Sequence, residues 1–309
     1  MRALITGITG FLGSHLAEAL TSAGAEISGI TRGGRPVRGH ARIYTGALAD
    51  AAFVRDTLRA VKPTHVFHCA GATNGDKAAM YEINVAATAA LFETIEASPE
   101  QPVVVVVGSS AAYGEPAHLP LREDDPLHPI TDYGRSKAKQ EEIALAVYRR
   151  SGLPMIRTRM FNLVGPWQPD SLVTSDFAKQ IVRAERGGDR VVRVGNLASR
   201  RDYVDVRDAA LALMRVAEEG VSGEVYNVCS GHPSAISEVL DVLLRYAAVA
   251  IQVEHAAARY RAADVDEQYG TFERLRAATG WSPRISLERS LADLLDSWRS
   301  RSEGDFQTE

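Results

Sequence analysis

The chain has 309 residues, of which 45% are apolar and 24% charged, and its formal net charge is −4. These values predict a soluble globular protein with two joined lobes, and the scattered basic residues disfavour a nucleic-acid groove or a polybasic membrane patch. The two cysteines lack metal or redox spacing, so we expect no metal site and a reducing compartment. No signal peptide or membrane span is recognised, and a cytoplasmic location is expected.

Strand-like apolar segments alternate with helix-period stretches in the first half of the chain, which is the rhythm of repeated βαβ units. The run Val103–Val107 has no polar alternation, as expected of a central parallel strand covered by helices on both faces. The sequence therefore predicts an α/β protein with a doubly wound parallel-sheet Rossmann fold over residues 1–165. The predicted strands are Ala3–Ile5, Glu26–Ile30, Arg42–Tyr44, His65–His68, Val103–Gly108 and Met155–Arg159.

The pattern changes after Gly165-Pro166, where loops rich in Pro, Gly and Asp separate three helix-period segments. These predicted helices are Ser175–Arg186, Ala235–Tyr246 and Leu287–Trp298. We interpret residues 166–299 as a smaller substrate-binding lobe that is interleaved with the first, because residues 200–230 are expected to return to the Rossmann domain. Residues 300–309 form a polar tail.

Glycines follow the first predicted strand with the spacing GxxGxxG, at Gly7, Gly10 and Gly13, and open a helix-period segment. Glycines let backbone N–H groups approach a pyrophosphate at a helix N-terminus, where the helix dipole favours an anion. Alone, such a turn is a weak signal. Its position after the first strand favours a dinucleotide site.

Tyr133 and Lys137 lie four residues apart in a predicted helix after Pro129, so their side chains share one face. A nearby ammonium is expected to lower the tyrosine pKa from about 10 toward the working pH, as general acid-base catalysis requires. The alternative is a solvent-facing helix that carries both residues by chance. Ser109 favours catalysis, since it ends the valine strand at the edge of the sheet where ligands bind.

Together these motifs resemble the extended short-chain dehydrogenase/reductase family over nearly the whole chain. The resemblance implies a catalytic Ser109, a general acid/base Tyr133, and a Lys137 that holds the nicotinamide ribose and tunes the tyrosine. Asn84 matches the family's structural asparagine, against the alternative of a capping residue. The implied cofactor-binding residues are Gly7, Thr9, Gly10, Phe11, Leu12, Gly13, Arg32, Leu48, Ala70, Asn84, Tyr133 and Lys137.

The end of the second strand predicts the cofactor. NAD-binding proteins place a carboxylate there for the ribose 2′-OH, whereas an arginine suits a 2′-phosphate. Thr31 stands where the family has its Asp, and Arg32 follows. The sequence favours NADP(H), although Arg32 alone could be an ordinary surface arginine. Ala47 replaces a family Asp that contacts adenine, which leaves that contact in doubt.

Nucleotide-sugar 4,6-dehydratases of this family carry an Asp-Glu pair after the catalytic hydroxyl, where this chain has Ser110 and Ala111. Dehydration is therefore disfavoured. The second half is similar to GDP-4-keto-6-deoxymannose reductases, although Ala262 replaces the proline of their phosphate clamp. For Arg201 the alternative is a salt bridge with Asp202 or Asp208. The substrate residues implied by the resemblance are Ser109, Ser110, Asn162, Lys179, Arg201 and Arg261.

The leading hypothesis is an NADPH-dependent reductase that acts on the C4 ketone of a nucleotide-linked 4-keto-6-deoxyhexose, with GDP the favoured nucleotide. The product is the rhamnose or the 6-deoxytalose epimer. One alternative is a nucleotide-sugar 4-epimerase with tightly bound NAD, and another is a non-catalytic cofactor-binding scaffold or sensor. The resemblance also implies a homodimer.

Overall fold

A computed structural model describes residues 1–33, 40–73, 75–256 and 265–302. Its main feature is a seven-stranded sheet in which every neighbouring pair of strands is parallel. In chain order its strands are β1 (Arg2–Thr6), β2 (Glu26–Thr31), β3 (Arg42–Thr45), β4 (His65–His68), β5 (Val103–Ser109), β6 (Met155–Met160) and β10 (Val225–Val228).

The spatial order of these strands is β3-β2-β1-β4-β5-β6-β10. The chain runs outward from β1 through β2 to β3 and then returns to pair β4 with the opposite side of β1. This reversal is the switch point at which doubly wound sheets bind ligands, beyond the carboxyl ends of the strands. The doubly wound α/β fold is confirmed.

Helices cover both faces of the sheet. One core contains Leu16 and Leu213, and the other contains Leu58, Phe92 and Val147. Together the two cores bury both faces of the central strands, which explains the absence of polar alternation in the valine run. These helices are α1 (Phe11–Ser22), α2 (Ala51–Val61), α3 (Lys77–Tyr81), α4 (Ala87–Glu96), α5 (Asp132–Ser151) and α7 (Val206–Glu219).

Local signals set the ends of α5, the helix that carries Tyr133 and Lys137. The Thr131 hydroxyl caps its N-terminus by accepting a hydrogen bond from the Gly134 N–H at 3.0 Å. The helix ends at Ser151 and is followed by Gly152, whose φ of 74° is readily adopted by glycine. Tyr133 therefore lies in the first turn, and Lys137 one turn later.

A single π-helical turn, Glu82–Ala86, joins α3 to α4. Asn84 lies in this turn and is fully buried. Such turns often occur at functional sites because the wider backbone ring displaces side chains from the regular helical positions.

The second lobe is built around β9 (Arg200–Asp205), which pairs with three short strands. Three helices of this lobe enclose a separate core that includes Phe177, Leu240 and Trp298. The helices α6 (Val173–Glu185), α8 (Ile236–Arg245) and α10 (Leu287–Arg299) lie within two residues of their predicted bounds. The remaining elements are β7 (Asn162–Val164), β8 (Val191–Val194), β11 (Pro233–Ala235), β12 (Gln252–His255), β13 (Glu267–Gln268) and α9 (Glu273–Thr279).

Candidate active site

The glycine-rich turn brings the start of α1 against the carboxyl end of the sheet. Gly7 has a φ of +70°, and a Cβ there would lie 2.7 Å from the Cα of Ala70. A Cβ on Gly13 would lie 2.3 Å from the Gly7 carbonyl oxygen. Both positions therefore require glycine. Gly10 precedes α1 with no side-chain cap, which suits a helix terminus that receives an anionic ligand.

The remaining predicted cofactor residues lie along the same edge of the sheet. The Thr9 and Thr31 hydroxyls are 3.3 Å apart, and the Gly33 N–H donates to the Thr31 hydroxyl at 3.1 Å. Arg32, next to this polar turn, is exposed. Phe11, Leu12, Leu48 and Ala70 all have reduced exposure. The end of β2 thus presents hydroxyls and a guanidinium, which suit a phosphate better than a ribose hydroxyl.

Ser109 and Tyr133 meet where β5 approaches the start of α5. The Ser109 hydroxyl accepts a hydrogen bond from the Ala111 N–H at 3.2 Å and interacts with Tyr133. Burial raises the pKa of Tyr133 above its usual 10, and the interaction with the Ser109 side chain opposes this rise. The expectation of a lowered pKa is wrong for this structure, because burial dominates. The phenol is protonated at neutral pH and is suited to donate a proton.

Lys137 is buried beneath the same site. Its ammonium donates hydrogen bonds to the Val107 carbonyl at 2.6 Å and to the side-chain oxygen of Gln140. Burial lowers the pKa of Lys137 to about 8, with smaller opposing contributions from Cys69 and Glu141. Both hydrogen-bond acceptors are neutral, so no carboxylate bonded to the ammonium offsets the effect of burial.

Asn84 connects the π-helical turn to the loop after β4 and to α5. Its amide exchanges hydrogen bonds with the Ala72 backbone at 2.7 and 2.9 Å and donates to the Ser136 hydroxyl at 2.9 Å. The Ser136 hydroxyl in turn donates to the Tyr133 carbonyl at 2.8 Å. These contacts fix the backbone around Tyr133 from below. A direct cofactor contact of Asn84 stays a prediction.

Ser110 is buried beside Gln268 of the second lobe. Its hydroxyl donates to the Gln268 side-chain oxygen at 3.2 Å, and the Gln268 amide donates to the Gly114 carbonyl at 3.2 Å. Gln268 thus supports the turn that follows Ser109. The substrate contact predicted for Ser110 stays a prediction, and its hydroxyl is already engaged here.

The predicted substrate residues of the second half lie around β9 and α6. The Asn162 amide donates to the Asp202 carbonyl at 3.1 Å. Arg201 donates to the carbonyls of Arg200 and Asp266 at 2.7 and 3.4 Å. Lys179 is buried and pairs with Asp170 at 2.7 Å. Arg261 lies outside the described residues.

Several buried polar residues near the site were not singled out from the sequence. Gln140 follows Lys137 by three positions on α5, a spacing that could have been noticed on a helix. His68 and Thr88 join Gln140 through the core. Gln268 carries no local signal, because it is 158 residues from Ser110.

No helix in the described part of the chain is long and apolar enough to cross a membrane. The same residues contain no group of three or more His, Cys, Asp or Glu side chains arranged to hold a metal ion. Both cysteines are free, with Cys229 buried and Cys69 partly exposed.

A comparison with known protein families identifies the family of this chain. A family model described as the NAD dependent epimerase/dehydratase family matches residues 3–229. The chain belongs to this family. The resemblance to extended short-chain dehydrogenase/reductases is thereby confirmed, and the chain is an enzyme of the family rather than only a Rossmann-like fold.

Individual relatives include reductases and epimerases. The GDP-6-deoxy-D-mannose reductase of Pseudomonas aeruginosa is 32% identical, over 97% of this chain and 98% of that protein. The UDP-glucose 4-epimerase of Streptococcus mutans is 28% identical, over 94% of this chain and 95% of that protein. A solved structure of RMD from Pseudomonas aeruginosa complexed with NADPH has a TM-score of 0.86 and 30% identity, covering 98% of this chain and 100% of that chain.

Proposed function

We propose that this enzyme reduces the C4 ketone of a nucleotide-linked 4-keto-6-deoxyhexose with NADPH, and that GDP-4-keto-6-deoxymannose is its substrate. The observation that carries the proposal is that Ser109 and a half-buried, protonated Tyr133 lie together, with Lys137 one helical turn further along α5. The similarity to a GDP-6-deoxy-D-mannose reductase supports the choice of nucleotide and sugar.

The cofactor assignment has its own support. The N-terminus of α1 and the turn at Gly7, Gly10 and Gly13 would hold the pyrophosphate, Arg32 the 2′-phosphate, and Lys137 the nicotinamide ribose. When bound, NADPH supplies the hydride that the ketone carbon accepts. The similar RMD structure is described as complexed with NADPH, which agrees with this choice.

The protein contributes alignment and a proton. Tyr133 donates its phenolic proton to the ketone oxygen as C4 gains the hydride, and Ser109 hydrogen-bonds the same oxygen. The product is the C4 alcohol, and the phenol regains a proton from solvent. Asn162, Lys179, Arg201 and Arg261 are assigned to the nucleotide sugar and its diphosphate, for which charged and amide groups are suited.

Dehydration is not part of the proposal. Ser110 stands where 4,6-dehydratases carry an acid, and it contacts Gln268, whose amide does not exchange a proton as a carboxyl group does. Reduction and epimerisation each need only hydride transfer and the tyrosine proton, so these side chains are compatible with both. Thr31 and Arg32 at the end of β2 favour NADPH-dependent reduction over an epimerase with bound NAD.

The proposal also covers the domain boundaries, the cellular location and the oligomeric state. We assign residues 1–165, with α7 and β10, to the cofactor domain, and the rest of residues 166–299, including β9, to the substrate lobe. We place the enzyme in the cytoplasm as a homodimer that pairs through α4 and α5, as the family resemblance implies.

The decisive experiment mixes purified protein, NADPH and GDP-4-keto-6-deoxymannose and follows the loss of reduced-nicotinamide absorbance. Stoichiometric oxidation of NADPH with formation of a GDP-6-deoxyhexose is expected. An epimerase would instead retain NAD and interconvert nucleotide sugars without net consumption. Binding of cofactor with no turnover of any nucleotide sugar would favour the scaffold alternative.

Arg32→Asp tests the cofactor assignment. We expect the preference for NADPH over NADH to fall by about ten- to a hundredfold, because a charge-assisted bond to the 2′-phosphate is replaced by repulsion. The ratio of the two kcat/KM values measures this. Arg59→Asp, a change at a surface arginine of α2 whose side chain is 69% exposed, is the matched control. An unchanged ratio in Arg32→Asp would place the 2′-phosphate elsewhere.

A further inference from the structure

A chain of buried polar side chains runs from the catalytic lysine through the core to the foot of the glycine-rich turn. Lys137 donates to Gln140, and the Gln140 amide donates to the Thr88 hydroxyl at 3.1 Å. The Thr88 hydroxyl lies 2.9 Å from Nε2 of His68, whose Nδ1 lies 2.8 Å from the Thr6 hydroxyl. Each of the four residues beyond Lys137 is 0% exposed.

The orientation of Gln140 follows from the donors around it. An ammonium can only donate, so the side-chain oxygen of Gln140 must face Lys137 and its NH₂ group must face Thr88. Thr88 accepts this bond and is itself held by His68. The amide therefore has one stable position, and it offers the ammonium a fixed acceptor.

The ammonium has three donors, and the described contacts commit two of them to the protein interior, at Val107 and Gln140. These two bonds constrain how the head group rotates. The third N–H is then directed by the first two, since the three donors share one tetrahedral nitrogen. A fixed direction is what a group that binds a ribose and supports a neighbouring phenol requires.

The ionisable groups near Lys137 are either neutral or paired with other residues. Burial and the charge of Lys137 lower the pKa of His68 to about 3, so the imidazole is neutral at the working pH. Burial raises the pKa of Cys69 to about 12, so its thiol is neutral as well. Glu141, on the same helix, is paired with Arg157 and Arg159. The groups that face the ammonium therefore give it dipoles rather than a hydrogen-bonded counter-ion.

The far end of the chain reaches the cofactor side of the sheet. The Thr6 hydroxyl accepts a hydrogen bond from the Ala70 N–H at 3.3 Å, and Thr6 directly precedes Gly7. Ala70 is also the residue that a Cβ on Gly7 would approach most closely. One hydrogen-bonded chain thus connects the lysine to the turn assigned to the pyrophosphate.

We propose that Gln140, fixed by Thr88 and His68, is a positioning residue that orients the Lys137 ammonium and offers it a neutral acceptor in place of a carboxylate. The inference rests on the proposed function for its catalytic meaning. Its physical content concerns the lysine itself and is measurable without cofactor or substrate.

The test follows the titration of Lys137 by NMR in protein labelled with ¹⁵N-lysine. The chain has five lysines, so the Lys137 signal is assigned from its loss in Lys137→Arg. In the unaltered protein the midpoint is expected near 8. Gln140→Leu should lower it by about one to two pH units, because the charged form loses a hydrogen bond. Gln140→Glu should raise it by at least about one unit, because a carboxylate replaces the amide.

Thr88→Val keeps Gln140 but removes the acceptor of its NH₂ group, and a smaller downward shift is expected. Thr158→Val is the matched control. The Thr158 hydroxyl is equally buried, but it donates to the Val106 carbonyl and is not one of the hydrogen-bonded side chains between Lys137 and Thr6. Its Lys137 midpoint should stay unchanged. If Gln140→Leu and Gln140→Glu both titrate as the unaltered protein does, or if Thr158→Val shifts as much as Thr88→Val, the proposal is overturned.

Activity measurements then connect the lysine to catalysis. The pH profile of kcat/KM for ketone reduction should move in the same direction as the NMR midpoint in each Gln140 variant. A merely structural residue would change the maximum rate without moving the profile. Titration shifts in a protein that reduces no ketone would uphold the Gln140 assignment and refute the proposed function, so the two failures are distinguishable.

Discussion

Tyr133→Phe is expected to lower kcat by at least about a hundredfold while the Kd for NADPH changes by less than about twofold. The substitution keeps the ring that fills the start of α5 and removes only the hydroxyl that would deliver the proton, and a positioned proton donor contributes about 10²- to 10⁴-fold. Turnover is measured by NADPH absorbance with the keto sugar, and affinity by quenching or enhancement of nicotinamide fluorescence.

The control for this variant lies on the same helix. Tyr148→Phe makes the identical chemical change four turns further along α5, where the ring packs against Gly223 away from Ser109. It should retain full kcat. If Tyr133→Phe also retains full turnover, the proton comes from another group and the proposed mechanism is wrong.

Glu141→Leu is expected to lower the free energy of unfolding by about 3–5 kcal/mol, the largest stability loss that we predict. Glu141 accepts hydrogen bonds from Arg159 at 2.6 and 3.0 Å and from Arg157 at 3.2 Å, and the side chains of Glu141 and Arg159 are 6% and 5% exposed. Removing the carboxylate leaves two guanidinium groups in the interior without their counter-ion. Urea unfolding followed by circular dichroism measures the loss.

An ion pair between α4 and α5 that is closer to solvent gives the comparison. Arg150 of α5 pairs with Glu96 of α4, and their side chains are 55% and 21% exposed. Glu96→Leu should therefore change the free energy of unfolding by no more than about 1 kcal/mol. Equal losses from Glu141→Leu and Glu96→Leu would show that burial does not govern the contribution of these pairs.

The sequence predicted the alternating strands and helices and the residues that belong to local motifs. The strands were recognisable because a parallel sheet buries both faces, and Tyr133 and Lys137 because helical spacing places them together. Helix ends differed from prediction by one or two residues, as at Ser175 and Val173, because fraying and capping are decided by a few hydrogen bonds.

The sequence could not show how deeply each side chain is buried or which remote residues it contacts. The spacing of Tyr133 and Lys137 suggested that the ammonium lowers the tyrosine pKa, but spacing gives no measure of burial, and burial raises it. The lysine binds Val107 and Gln140 instead. Likewise, the carboxylates of Asp202 and Asp208, considered as partners of Arg201, accept backbone N–H groups of Ser230 and Arg284. Such contacts depend on segments that are remote in sequence.

The bond between Ser110 and Gln268 has a consequence for biosynthesis. The six strands β1 to β6 are complete once residue 160 has been made, so most of the Rossmann sheet can form while the rest of the chain is still being synthesised. The turn after Ser109 is then without its support, which arrives 158 residues later with Gln268. A nascent chain that already has a cofactor cradle therefore lacks a finished catalytic turn. We therefore expect catalytic competence only after the segment that carries Gln268 has been synthesised and has folded.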